Sequence, residues 1–259
     1  RYPIPTTLSL IEGETGAAGM YPDRSARYEK TARELFALPW VEAASHSFSH
    51  PFDWGKAAAD DSGEHYHLAI PGYSYDVRRE ISGSLDYINR LTPPGRPARL
   101  FLWTGNCVST PEALAEVRRA GVLNMNGGDT IITRERNSWT LIAGPGIPRE
   151  TGYQVFAPNQ NENVYTHEWT GPYYGFRRGI ETFELTETPY RLKPVDIYYH
   201  VYAVTKTASL KALKDVYDWA AAQPLTPVHV TDYVRKVLDF NDFTVARTPE
   251  GYRLRGNGD

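Results

Sequence analysis

The sequence predicts an α/β fold built on a parallel sheet, open or closed into a barrel. Three observations predict it. Short apolar runs alternate with segments of helical period along most of the chain. Polar clusters recur where four of those runs end: at residues 45–50, 104–106 and 126–129, and at His200. The length, 259 residues, is one at which α/β barrels occur as one domain.

Residues 6–11 read as a first strand, closed by Gly13 and Gly16. Ser25 is placed to cap a helix running to Leu38, with Tyr28, Ala32, Leu35 and Phe36 on its apolar face. The short run at 41–44 is a buried strand that delivers His46 and His50. A polar loop follows with Asp60, Asp61, His65 and His67; the alternation of its histidines around Tyr66 suits an extended segment exposing both. Val77, Ile81, Leu85 and Ile88 share one face of a helix over 75–91, stopped at Thr92-Pro93-Pro94-Gly95. A strand at 99–103 leads into Thr104-Gly105-Asn106. Thr110 with Pro111 opens another helix, which Gly121 ends, and a strand at 122–125 follows.

Residues 138–190 are irregular and rich in Gly, Pro and aromatics, including Trp139, His167, Trp169, Tyr173, Tyr174 and Phe176. Residues 195–202 read as a buried strand carrying His200, 208–222 as a helix, 227–230 as a strand, and Thr231 as the cap of a helix to Leu238. The tail from 243 to 254 alternates as a hairpin around Pro249-Glu250-Gly251. No repeat and no linker divides the chain, so one domain over 1–259 is expected.

Hydrophobic residues make up 41% and charged residues 23%, the composition of an ordinary globular protein. A net charge of -3 without a Lys/Arg run argues against nucleic acid as a partner. No run is long and apolar enough to span a membrane. One cysteine, Cys107, excludes an internal disulfide framework and a cysteine-rich zinc site. The 18 Tyr and 6 Trp suit a surface that stacks on sugar rings, though cores also consume aromatics.

The stretch Ser45-His46-Ser47-Phe48-Ser49-His50-Pro51 sets two imidazoles four residues apart, a spacing that lets both reach one divalent metal if the chain between them makes one turn; surface or satisfied core histidines are the alternative. Pro51 biases His50 away from helix, so the pair belongs to a turn at a strand end. Ser47 stands where a helical zinc-protease motif would carry Glu, which argues against that reading.

Taken with residues 5–13, Phe101-Leu102-Trp103-Thr104-Gly105-Asn106-Cys107 and Ile197-Tyr198-Tyr199-His200, this stretch resembles the motifs of the polysaccharide deacetylases, in particular the PelA-type domains. The resemblance implies a NodB-type deformed (β/α) barrel lacking its first strand, as a fragment of a larger protein. It implies metal-dependent N-deacetylation of an N-acetylhexosamine exopolysaccharide (a Pel-type biofilm polymer) in the periplasm, with polysaccharide-export proteins as partners. His46 and His50 match the family's metal ligands, and two histidines with one carboxylate make zinc the natural metal. His200 matches its general acid, a role suited to an imidazole. Trp103, Asn106, Asp129, Trp169 and Tyr173 are the expected substrate contacts, with Tyr174 and Arg177 beside the last two.

Two departures from the pattern stand out. The family's third-motif Arg is absent, leaving Thr104 or Asn106 for its polar work. The acidic first motif is absent too; Glu12 and Glu14 do not match it, so the base and third ligand are expected upstream and this fragment is expected to be nearly inactive. A carbohydrate-binding scaffold and a glycoside hydrolase on a related barrel are the alternatives; the latter needs a pair of carboxylates that the sequence does not present.

Overall fold

The computed structural model describes residues 2–59 and 66–257. Asp60, Asp61 and His65 of the polar loop lie outside the described residues. The chain divides into two compact units. The larger comprises residues 3–127, 147–155 and 227–259, and the smaller 1–2, 128–146 and 156–226.

The larger unit is mixed α/β. Its sheet holds β1 (Thr6–Leu10), β2 (Val41–Ser45), β3 (Leu100–Leu102) and β4 (Leu123–Met125), all parallel and in sequential order. The register runs from Thr6 beside Val41 to Leu10 beside Ser45, then Ser45 beside Phe101 and Phe101 beside Asn124. Parallel neighbours need crossovers, and helices Pro22–Phe36, Ser84–Leu91 and Pro111–Arg119 lie in them. Phe36, Trp54, Ile81, Ile88, Phe101 and Leu114 fill the core, each at most 1% exposed.

Most elements form as the sequence predicts, with instructive differences. The first helix of the crossovers starts at Pro22, whose fixed φ suits a first helical position, so Ser25 lies inside it and donates to Pro22 O at 2.8 Å. Leu35 is 39% exposed, so it is not part of the buried face. The helix ending at Leu91 contains a π turn, Arg79–Gly83, before its regular part. Thr110 caps its helix as expected, accepting from Ala113 N at 3.2 Å. The expected strand at 227–230 gives way to helix Val230–Asp242. Thr231 is not its cap: Glu42 on β2 accepts both Thr231 N (3.1 Å) and Thr231 Oγ1 (2.7 Å), doing a cap's work from outside the helix. The tail hairpin pairs Thr244–Thr248 with Gly251–Arg255.

The smaller unit packs helices Gly179–Leu185 and Thr207–Ala221 around Tyr165, Phe176, Phe183, Leu213 and Val216. Its segment 195–200 joins no ladder among the described residues. Val195, Ile197 and Tyr199 pack on the core, leaving Asp196, Tyr198 and His200 at the alternate positions. The buried strand expected over 195–202 is therefore not formed, and its residues 195–200 are only half-buried. Residues Val201–Thr205 form a 3-10 turn in which Val201 is 64% exposed. Among the described residues, no helix is long and apolar enough to cross a membrane.

Candidate metal-binding loop and histidine dyad

The loop after β2 is wound by its own serines. Ser47 N–H donates to Ser45 Oγ at 3.2 Å, and His50 N–H donates to Ser47 Oγ at 2.9 Å. Ser47 and His50 both sit in the left-handed region, with φ of 68° and 53°. Non-glycine residues hold that conformation only where surroundings over-determine it. Here Glu12 N–H donates to Ser47 O (3.1 Å) and Gly13 N–H to Phe48 O (2.8 Å). A Cβ at Gly13 would overlap Ile70 and the Phe48 carbonyl, so only glycine admits this approach.

The π turn grips the loop from the other side. The buried Glu80 carboxylate accepts Phe48 N–H (3.0 Å), Ser49 N–H (2.9 Å), the Ser49 hydroxyl and Tyr73 Oη (2.6 Å). Burial pushes its carboxyl up from the usual range, and those donors pull it back. Arg79 lies 3.7 Å from the centre of the Phe48 ring and forms a two-pronged ion pair with Glu12, 2.7 Å on each arm.

These contacts set the imidazoles side by side, ring centres 5.1 Å apart at 69°. His46 Nδ1 lies 2.9 Å from Leu102 O. A carbonyl only accepts, so Nδ1 carries the proton of a neutral ring and Nε2 is its lone-pair nitrogen. A backbone carbonyl on the far nitrogen is a usual support of a metal-bound histidine. Two adjacent imidazoles are nitrogen donors of the type zinc takes. Among the described residues, no group of three or more His, Cys, Asp or Glu is placed to hold a metal, and Glu12 is engaged by Arg79.

The other strand ends brace this loop. Thr104 Oγ1 donates to Pro51 O (2.6 Å) and Asn106 N–H to Phe52 O (2.9 Å). Asn106 is exposed, and its Oδ1 accepts Val108 N–H (3.0 Å), so both polar candidates for the missing Arg's work are engaged with backbone. Trp103 is not a substrate contact. It is fully buried beside Trp54 and Phe101, ring centres 5.1 Å away in each case, with its indole N–H on Asn124 Oδ1 (3.0 Å). His67 is not a surface residue either. It is 2% exposed, with Nδ1 2.7 Å from Leu68 O and Nε2 enclosed without a partner among the described residues. Its neighbours bond the His loop, Tyr66 O accepting Phe52 N–H and Leu68 N–H donating to Ser49 O.

In the smaller unit His200 is half of a dyad that the sequence does not reveal. Glu162, 1% exposed, places Oε1 at 3.1 Å from His200 Nδ1, and the same oxygen accepts the His200 N–H at 2.8 Å. The imidazole stacks with the rings of Tyr198 (6.3 Å) and Tyr202 (5.2 Å), with Trp169 edge-on at 5.3 Å. Trp169 is presented by three consecutive left-handed residues, His167, Glu168 and Trp169, with φ of 47°, 55° and 56°. Such a turn is costly for L-residues and marks a constrained wall. Tyr173 and Tyr174 keep 37% and 55% of their surface, with Lys206 Nζ 5.4 Å over the Tyr173 ring; Arg177 is engaged by Asp215. Asp129 is exposed and accepts from Gln160 Nε2 at 3.1 Å. Asp196 is half-buried with its carboxyl end enclosed. Its Oδ2 has no hydrogen-bond partner among the described residues, and burial pushes the group up to about 7.

No family model matches the chain, and no curated protein matches it. Among solved structures the chain is similar in fold to the 4-alpha-glucanotransferase from Thermococcus litoralis, with 14% identity and a TM-score of 0.50. The match covers 87% of this chain and 35% of that one, so the chain corresponds to about a third of that protein's length.

Proposed function

We propose that the chain is a carbohydrate-active hydrolase on a deformed (β/α) barrel, a metal-dependent deacetylase of an N-acetylhexosamine polymer. The resemblance in the motifs supports the reaction class, and with it a Pel-type exopolysaccharide and the periplasm. The sequential parallel order β1-β2-β3-β4 supports the barrel. The observation that carries the reading is the His46 Nδ1–H bond to Leu102 O at the C-terminal end of β2, with the His50 ring beside it. It fixes the tautomer whose proton sits on Nδ1, the form in which a neutral imidazole meets a metal through Nε2.

In this reading His46 and His50 hold the ion, which when bound supplies Lewis acidity toward the acetyl carbonyl. Glu162 holds the Nδ1 proton of His200, so Nε2 is the atom of that ring available for general acid–base work. Water adds its oxygen to the acetyl carbon, the amide C–N bond breaks, acetate leaves, and the sugar nitrogen takes a proton and remains as the amine. Trp169 and Tyr202, ring centres 4.1 Å apart, offer an apolar wall for a pyranose face. The pair belongs to the larger unit and the dyad to the smaller, so the test addresses each separately.

Acetate release from an N-acetylhexosamine oligomer is the deciding measurement. Release that needs zinc and is lost in His46→Ala and His50→Ala is expected. Release independent of metal would overturn the metal role of the pair, and no release beside intact sugar binding would replace this reading with the scaffold one.

A further inference from the structure

We propose that Glu80 is a positioning residue for the histidine pair, its carboxylate being the acceptor around which the loop of His46 and His50 is wound. The inference rests on the metal-binding reading of that pair and adds to it a residue that acts through the loop backbone. Glu80 is fully buried, yet four donors meet it: two consecutive backbone N–H groups, of Phe48 and Ser49, and the hydroxyls of Ser49 and Tyr73. Successive N–H groups beside a left-handed residue form a concave nest that ordinarily receives an outside anion. Ser47 supplies that left-handed residue, and the nest is filled from within by Glu80.

The π turn Arg79–Gly83 puts adjacent side chains onto the same loop. Arg79 holds the Phe48 ring while Glu80 holds the Phe48 backbone. Ser84, just past the turn, shares a hydroxyl bond with Ser45 at 2.6 Å. The histidines flank the gripped residues, His46 before Phe48 and His50 directly after Ser49. Without an acceptor at position 80, two buried N–H groups lose their partner, and the left-handed Ser47 and His50 on either side lose one of the contacts that hold them.

The test uses zinc alone as probe, with a competing chromogenic chelator, and the imidazole proton resonances of His46 and His50 in the metal-free chain. Glu80→Ala is expected to weaken zinc binding by about 10- to 100-fold, the usual effect of losing a support behind a ligand, and to move both resonances. Glu80→Gln is expected to recover most of the affinity. Its amide oxygen accepts both N–H groups while its NH2 donates to the two hydroxyls. A folded Glu80→Ala chain with unchanged affinity and unmoved resonances overturns the proposal, as does Glu80→Gln behaving like Glu80→Ala. If Glu80→Ala does not fold, Ser49→Ala and Tyr73→Phe, each removing one donor, are read the same way, with a smaller loss expected and none overturning it. If His46→Ala binds zinc as tightly as the unaltered chain, the metal reading fails, and the metal-free resonances alone decide the role of Glu80.

Discussion

Glu162 Oε1 receives both the backbone N–H and the ring of His200, at 2.8 and 3.1 Å, so one buried oxygen fixes where that residue starts and where its imidazole points. Under the deacetylase reading, His200→Ala is expected to lower acetate release by about a hundred- to ten-thousand-fold, the usual contribution of a general acid. Zinc content should stay unchanged. Glu162→Gln should fall between, because an amide accepts the N–H yet no longer stabilises an imidazolium. Acetate and zinc are measured together on the same samples.

His50→Ala must give a different phenotype. Losing one imidazole of the pair removes a ligand, so zinc affinity and turnover are expected to fall together. Turnover lost with zinc fully retained would place His50 outside the metal site.

Trp103 and Trp169 separate core from wall. Trp103→Ala empties a fully buried indole site and is expected to cost about 3–5 kcal/mol in urea unfolding. Trp169→Ala should leave the larger unit's unfolding transition in place and weaken oligosaccharide binding instead. Equal stability losses for both would remove Trp169 from the sugar-facing surface.

Asp196 makes stability depend on pH. Its folded carboxyl titrates near 7 and an unfolded one at about 3.9, so the folded state holds the extra proton between them. That contribution is complete below about pH 4 and is lost as pH rises through about 7. Asp196→Asn should flatten the decline, by up to about 1.4 kcal/mol for each pH unit inside that window. Urea unfolding at several pH values across the window checks it; parallel curves for both proteins would refute it.

Strands β1 to β4 and the tail hairpin are legible in the sequence because their information is local. Val41–Ser45 is an apolar run closed by polar residues, and Thr248-Pro249-Glu250-Gly251 punctuates an alternating pattern. The His pair is legible for the same reason. The supports behind the histidines are not. Glu80 lies 31 residues from Ser49, whose N–H it accepts, and Glu162 lies 38 residues from His200. No periodicity spans such gaps, and only the folded chain closes them. Trp103 points the wrong way in sequence because an aromatic at a strand end serves a core as readily as a cleft. His67 does so because backbone pairing, which leaves no mark on composition, buries it in a polar stretch.

The acceptor that sets the His46 proton is a main-chain oxygen, and every amino acid at position 102 brings one. Drift at that position alters packing and leaves the tautomer of His46 in place. The counterpart for His200 is a side chain, which a single nucleotide change can delete. The two histidines therefore differ in mutational robustness: one support is inherited with the backbone, the other has to be kept by selection.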